Sequence, residues 1–219
     1  MTALADRITS LRIMAHDAPT SNLKTGETPV GNTSSGKPDG VGTKFRLQHQ
    51  NVVALGVYVT MGPLAANYRL TTGFTLDAAN GILTFASAPV TGLDPFLVDY
   101  NWQWFTDAEH LEFLYEAAEN LSVTDPTLVV AGLAPALMQF ALSAYYNRLA
   151  SRYAPLYSSS GGQTGHQIDV VTTSFRNLAK AAFDRAIQFR DDYYKRQGQR
   201  ELPVSQAKNY NIDPFTPIR

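Results

Sequence analysis

The strongest constraint in this chain is a change of period. From residue 96 to residue 121 it reads "FLVDYNWQWFTDAEHLEFLYEAAENL". Up to Trp104 apolar residues alternate with polar ones: Phe96, Val98, Tyr100, Trp102 and Trp104 on one side, Leu97, Asp99, Asn101 and Gln103 on the other, the pattern of a half-buried strand. From Thr106 the period becomes that of a helix, with Leu111, Leu114, Tyr115, Ala118 and Leu121 as its apolar stripe. Thr106 and Glu109 stand as T-x-x-E, a capping box in which each side chain takes an amide that the helix start leaves unpaired. A strand that runs straight into a helix implies an α+β chain in which a sheet module and a helical domain share one continuous backbone.

The period extends in both directions. Upstream, residues 43–49, 52–61 and 68–76 alternate around Phe45 and Leu47, around Val53, Leu55, Val57, Val59 and Met61, and around Tyr68, Leu70, Phe74 and Leu76. Asn80-Gly81 then supplies turn residues before "ILTF" restarts the pattern, so residues 68–86 predict a hairpin. About five strands at roughly ten-residue spacing predict a small antiparallel barrel or sandwich over residues 43–105. Downstream, Asp125-Pro126 predicts an N-cap and first helical position, Pro135 a kink or restart, and the pattern continues to Tyr153. A further helix is expected from Ile168 to Arg196, burying Val171, Phe175, Leu178, Ala182, Phe183 and Ala186. The segment 154–167, "APLYSSSGGQTGHQ", reads as a flexible connection.

The expected organisation is therefore a helical bundle with an inserted β-module and an extended arm. Residues 1–16 form an amphipathic N-terminal helix of the helical domain, with Leu4, Ile8, Leu11 and Ala15 on one side. Residues 17–42, rich in Gly, Pro, Ser and Thr, read as a flexible linker or loop. Residues 43–105 are the β-module and 106–197 the helical domain. Residues 198–219, with three prolines and no periodicity, read as an extended C-terminal arm. The N-terminus carries charges through its apolar positions, unlike a secretory signal.

A net charge of −1 conceals segregation. Residues 1–69 hold seven basic and four acidic residues (+3), residues 70–147 none and nine (−9), and residues 148–219 eleven and six (+5). Asymmetry of this kind speaks about partners, here copies of the chain meeting basic surface to acidic surface. Its sharpest element is the row Glu109, Glu112, Glu116 and Glu119, whose spacings of three, four and three place all four on one helix face with no lysine or arginine in that helix. Two roles suit it: contact with a basic face such as Arg176, Lys180 and Arg185 on a neighbouring copy, or a surface that does not bind polyphosphate.

Enzymatic readings have little to stand on. With no cysteine and four scattered histidines, no metal-ligand spacing occurs, and no nucleophile motif is present, so neither catalytic residues, cofactor nor metal is expected. "GNTSSGKP" at residues 31–38 matches the phosphate loop G-x-x-x-x-G-K, but Pro38 replaces the Mg²⁺-binding hydroxyl and "DGVGT" cannot open the required helix. Residues 127–146 are uncharged and long enough to span a bilayer. Gly132, Pro135, Gln139 and Ser143 within them favour burial among protein helices. No basic stretch supports sequence-specific DNA binding.

The run from "DAANGILTFASAPVTG" through "VDYNWQWFTDAEHLEFLYEAAENL" resembles the head–tail connector (adaptor) proteins of tailed bacteriophages. The resemblance rests on Asp77, Asn80, Gly81, Thr84, Phe85, Pro89 and Gly92 at the hairpin and on Tyr100, Phe105, Asp107 and Glu109 at the crossover to the helices. It implies a structural virion protein assembled in the host cytoplasm and placed at the neck of the portal vertex. There it would form a homo-oligomeric ring, dodecameric in related connectors, under the portal protein and joined to tail or neck proteins. Double-stranded DNA would pass through without sequence-specific binding, and no membrane is involved. On this view the four glutamates line the DNA channel. The arm docks on a partner through Tyr210, Ile212 and Phe215.

Overall fold

The computed structural model describes residues 4–31, 38–61, 69–70, 72–91, 96–159 and 163–197. The chain is mixed α and β and divides into two compact units, Arg12–Glu109 and the pair Met1–Leu11 with His110–Arg219. The first is thus an insertion between the first helix and the later ones. The expected C-terminal arm, with Tyr210, Ile212 and Phe215, lies outside the described residues.

Among the described residues of the inserted unit, seven strands form two antiparallel sheets. They are β1 (Asn22–Glu27), β2 (Lys44–Arg46), β3 (Val52–Met61), β4 (Arg69–Leu70), β5 (Phe74–Asp77), β6 (Ile82–Phe85) and β7 (Phe96–Trp102). One sheet runs β1-β7-β3-β4 and the other β2-β6-β5. The period-two expectation for β7 holds: Phe96, Val98 and Tyr100 are buried, while Leu97 and Asp99 between them are half-buried. Both sheets supply one core, β2 and β6 through Phe45, Leu83 and Phe85, β3 and β7 through Val52, Val57, Val59, Phe96, Val98 and Tyr100. Phe45 anchors it edge-on, its ring 4.9 Å from Phe96 and 5.8 Å from Phe85. A barrel or a sandwich was expected; no closed barrel forms among the described residues.

The hairpin β5–β6 pairs Phe74 with Phe85 and Asp77 with Ile82, so the turn spans the four residues 78–81. Asp77 holds it by accepting from the Asn80 amide nitrogen (3.2 Å) and side chain (2.8 Å). Gly81 alone in this turn has positive φ, +65°. A Cβ there would also collide with the His49 carbonyl oxygen, so glycine is required both for its backbone and for close approach.

Residues 17–42 depart from the expected linker. Asn22–Glu27 pairs with β7, and Val30 bridges Arg46. This strand has no buried residue, and its pairing shifts register between Lys24 and Glu27, where Gly26 adopts φ +63°. It is held by carboxylates. Asp99 accepts from the Gly26 amide (2.7 Å), and Glu27 accepts from the Gln48 amide (2.5 Å) and from the Tyr100 hydroxyl. Nearby, Asp17 accepts from the Trp104 (2.6 Å) and Phe105 (3.2 Å) amides. Buried Arg12 donates to the Asp17 carbonyl (3.0 Å), the Phe105 carbonyl (3.1 Å) and the Asp107 carboxylate (2.7 Å). The place where the chain enters this unit is thereby fastened to the place where it leaves.

In the helical unit α1 (Leu4–Met14) contributes Arg7, which donates to the carbonyl oxygens of Pro126 and of Val129, the latter at 3.3 Å. The capping box forms as expected at the start of α2 (Asp107–Glu119): the Thr106 amide donates to Glu109 (2.8 Å) and the Glu109 amide to Thr106 Oγ1 (3.3 Å). Its buried face is His110, Phe113, Leu114, Ala117 and Ala118, so Tyr115, expected inside, is exposed. Asp125 caps, through the Thr127 amide (2.7 Å), only a short 3-10 turn over Pro126–Leu128. The long helix restarts beside Pro135, as α3 (Ala134–Ser159). Helix α4 (Gln163–Arg196) returns antiparallel, with Phe140 5.3 Å from Phe183 and Tyr153 5.7 Å from Phe175. The two helices take up most of the connection expected over 154–167, of which residues 160–162 lie outside the described residues. The buried residues of α4 among those described are Thr172, Ala179, Ala182 and Ala186; Val171 and Leu178, expected inside, are exposed.

Candidate functional site

The charged faces of α2 and α4 hold every candidate residue that falls among the described ones. On α2, Glu112, Glu116 and Glu119 are exposed and Glu109 is half-buried. Glu109 has a local task in the capping box, which takes one member out of the row. Glu112 faces Arg148 of α3, 3.4 Å away across an exposed pair worth little by itself. The same guanidinium lies 5.8 Å over the Phe113 ring, which fixes its position. Glu116 has its carboxyl pushed above the usual range, first by loss of solvent and further by Glu119, while Arg148 pulls it down. The row is therefore one face with Arg148 at its edge. That cation, 36 residues from Glu112 in the chain, was not foreseen from the sequence.

Arg176, Lys180 and Arg185 are all exposed on α4, but they do not form one face. At about 100° per residue, Arg176 and Lys180 lie almost in line, whereas Arg185 is displaced from Lys180 by about 140°. Arg185 belongs instead to the line of Val171 and Leu178. Spacing alone separates these cations once the helix runs unbroken from Arg176 to Arg185.

A second polar cluster was missed by sequence reasoning. The Tyr100 hydroxyl donates to Glu27, and His49 Nδ1 lies 2.8 Å from that hydroxyl. The His49 ring stacks on Trp102 at 4.0 Å. Burial, then Glu27, pushes the Tyr100 phenol well above its ordinary range, and burial pulls the His49 imidazole down. The cluster locks β1 to β7. Glu27 sits in a stretch without periodicity, so no pattern signals it.

The phosphate-loop match does not acquire its helix. Residues 32–37 lie outside the described residues, and the chain after Pro38 enters strand β2 at Lys44, with no helix N-terminus there to face a phosphate. Among the described residues no group of three His, Cys, Asp or Glu could hold a metal ion. No described helix is long and apolar enough to cross a membrane, and the uncharged run 127–146 divides between short 3-10 turns and the first half of α3. No family model, curated protein or solved structure matches the chain.

Proposed function

We propose that this chain is a non-enzymatic structural protein of a tailed-phage virion, a head–tail connector that forms a ring under the portal, joins it to the tail and encloses the DNA path. The observation that carries this reading is the exposed face of Glu112, Glu116 and Glu119, with Arg148 at its edge and no lysine or arginine in its own helix. Like charges three and four residues apart cost a helix about 0.2–0.5 kcal/mol per pair. Two of them also stand in the last turn, at the negative end of the helix dipole. A fold that keeps such a face gains where a polyanion must slide past without sticking, since repulsion acts over a Debye length of about 8–10 Å. In this setting the arm over residues 198–219 docks on the portal or a tail protein.

The test is replacement of Glu112, Glu116 and Glu119 together by lysine in the phage, with packaging and ejection rates as the readout. A connector lining the channel slows at least one of them while the particle still assembles; unchanged rates with an intact fold count against the channel. A second reading, a neck or tail subunit that contacts only proteins, draws on the Glu112–Arg148 pair and the Glu109 cap, which leave fewer carboxylates unmatched than the sequence suggests.

A further inference from the structure

We propose that copies of this chain join head to tail through two different faces: the exposed line of Val171, Leu178, Arg185 and Phe189 on α4 of one copy seats on Tyr115 and Glu119 of α2 in the next. The proposal rests on the ring reading, for which it names the contact.

The α4 line is unusual for a surface. Val171, Leu178 and Phe189 are 38%, 46% and 45% exposed. At about 100° per residue they fall with Arg185 within about 40° of one another along the helix. The line flanks the seam that buries Thr172, Ala179, Ala182 and Ala186, so α3 covers one side of a broad apolar face and leaves the other open. A single cation, Arg185, interrupts it.

On α2 the complementary set is present. Tyr115 is 41% exposed and Glu119 lies one turn further on, in a last turn that holds no basic residue. A carboxylate there opposes the dipole of its own helix, so a cation from outside is worth more to it than to Glu109 or Glu112 nearer the helix start. Among the described residues neither Glu119 nor Arg185 has an ion-pair partner. One face thus offers apolar surface with a cation, the other an aromatic ring with an anion. A contact between unlike faces is heterologous, and repetition of it closes into a ring or runs on as a filament. Pairing α4 with α4 about a two-fold axis would set like lines together and leave Glu119 unmatched. Glu112 and Glu116, on the side of α2 toward Arg148, stay free to face a channel.

The chain has no cysteine, so introduced thiols report without background. Leu111→Cys on α2 and Ala181→Cys on α4, combined in one full-length chain, sit one turn from Tyr115 and from Arg185 along their helices and keep Glu119 and Arg185. Mild oxidation of this variant is expected to give a disulfide ladder extending beyond dimers on a non-reducing gel. Adding Arg185→Glu is expected to cut the crosslinked fraction about tenfold, and adding Glu119→Arg to that variant to restore it. Circular dichroism checks that each variant folds. No ladder, a ladder that stops at dimers, or one indifferent to the charge reversals overturns the proposal. Loss of the ring reading is separately visible: a ladder from a chain absent from the virion neck leaves this contact standing without its setting.

Discussion

Asp17 offers the most exacting check on the inserted unit. Its side chain is fully buried, accepts two backbone amides and lies 3.6 Å from the Arg12 guanidinium. Burial outweighs these partners and pushes the carboxyl up from 3.8 to about 6. Because the folded state holds the proton more tightly than the unfolded one, folding takes up a proton between pH 3.8 and about 6. The contribution of Asp17 to stability is thus fully present below pH 3.8 and is lost as pH rises through 6. A shift of about two units at about 1.4 kcal/mol each sets the span at no more than about 3 kcal/mol. Asp17→Asn keeps a neutral acceptor for the Trp104 amide and does not titrate. Urea unfolding followed by tryptophan fluorescence reads this unit selectively, since both tryptophans, Trp102 and Trp104, lie within it. The variant, whatever its absolute stability, should gain on the wild type by about 2–3 kcal/mol between pH 4 and pH 7. A change of the opposite sign would show that the Arg12 ion pair dominates burial and would refute the reasoning.

Further outcomes follow from the geometry. Gly81→Ala forces a side chain into a left-handed conformation costing about 1–2 kcal/mol and against the His49 carbonyl. Its urea midpoint should fall by more than that strain alone implies. Thr106→Ala removes the oxygen that accepts the Glu109 amide and should destabilise α2 by about 1 kcal/mol, seen as a lower thermal midpoint. Deleting residues 198–219 should leave the circular dichroism of the folded units intact and abolish docking to portal or tail; unchanged assembly would exclude the arm as a docking element.

What was legible in the sequence is what local pattern controls. The alternation of Phe96, Val98 and Tyr100, the Thr106–Glu109 box and the turn at Gly81 each depend on neighbours within a few residues, and each appears in the fold. Strand β1 escaped because it buries nothing; it exists through pairing to β7 and through bonds to Asp99, Gln48 and Tyr100, all supplied across long stretches of chain. The helix faces were placed about one residue away from their true centres. On α2 the rings of His110 and Phe113 pack about 6 Å from Tyr145 of α3, and that long-range contact, not the spacing of leucines, turns Tyr115 outward. The same limit applies to the candidate site. The glutamate row and the separation of Arg185 from Arg176 and Lys180 both follow from spacing along a helix, while the cation Arg148 follows from packing.

The central claim is that this chain forms a closed collar around the genome's exit path with the α2 carboxylates toward the DNA. A reconstruction of the virion neck at side-chain resolution tests it most directly. The expected map shows a ring of this chain beneath the portal, with Glu112 and Glu116 facing the lumen and Tyr115 and Glu119 of each copy against α4 of the next. A neck built without this chain, or a ring whose lumen is lined by another face, would contradict the account.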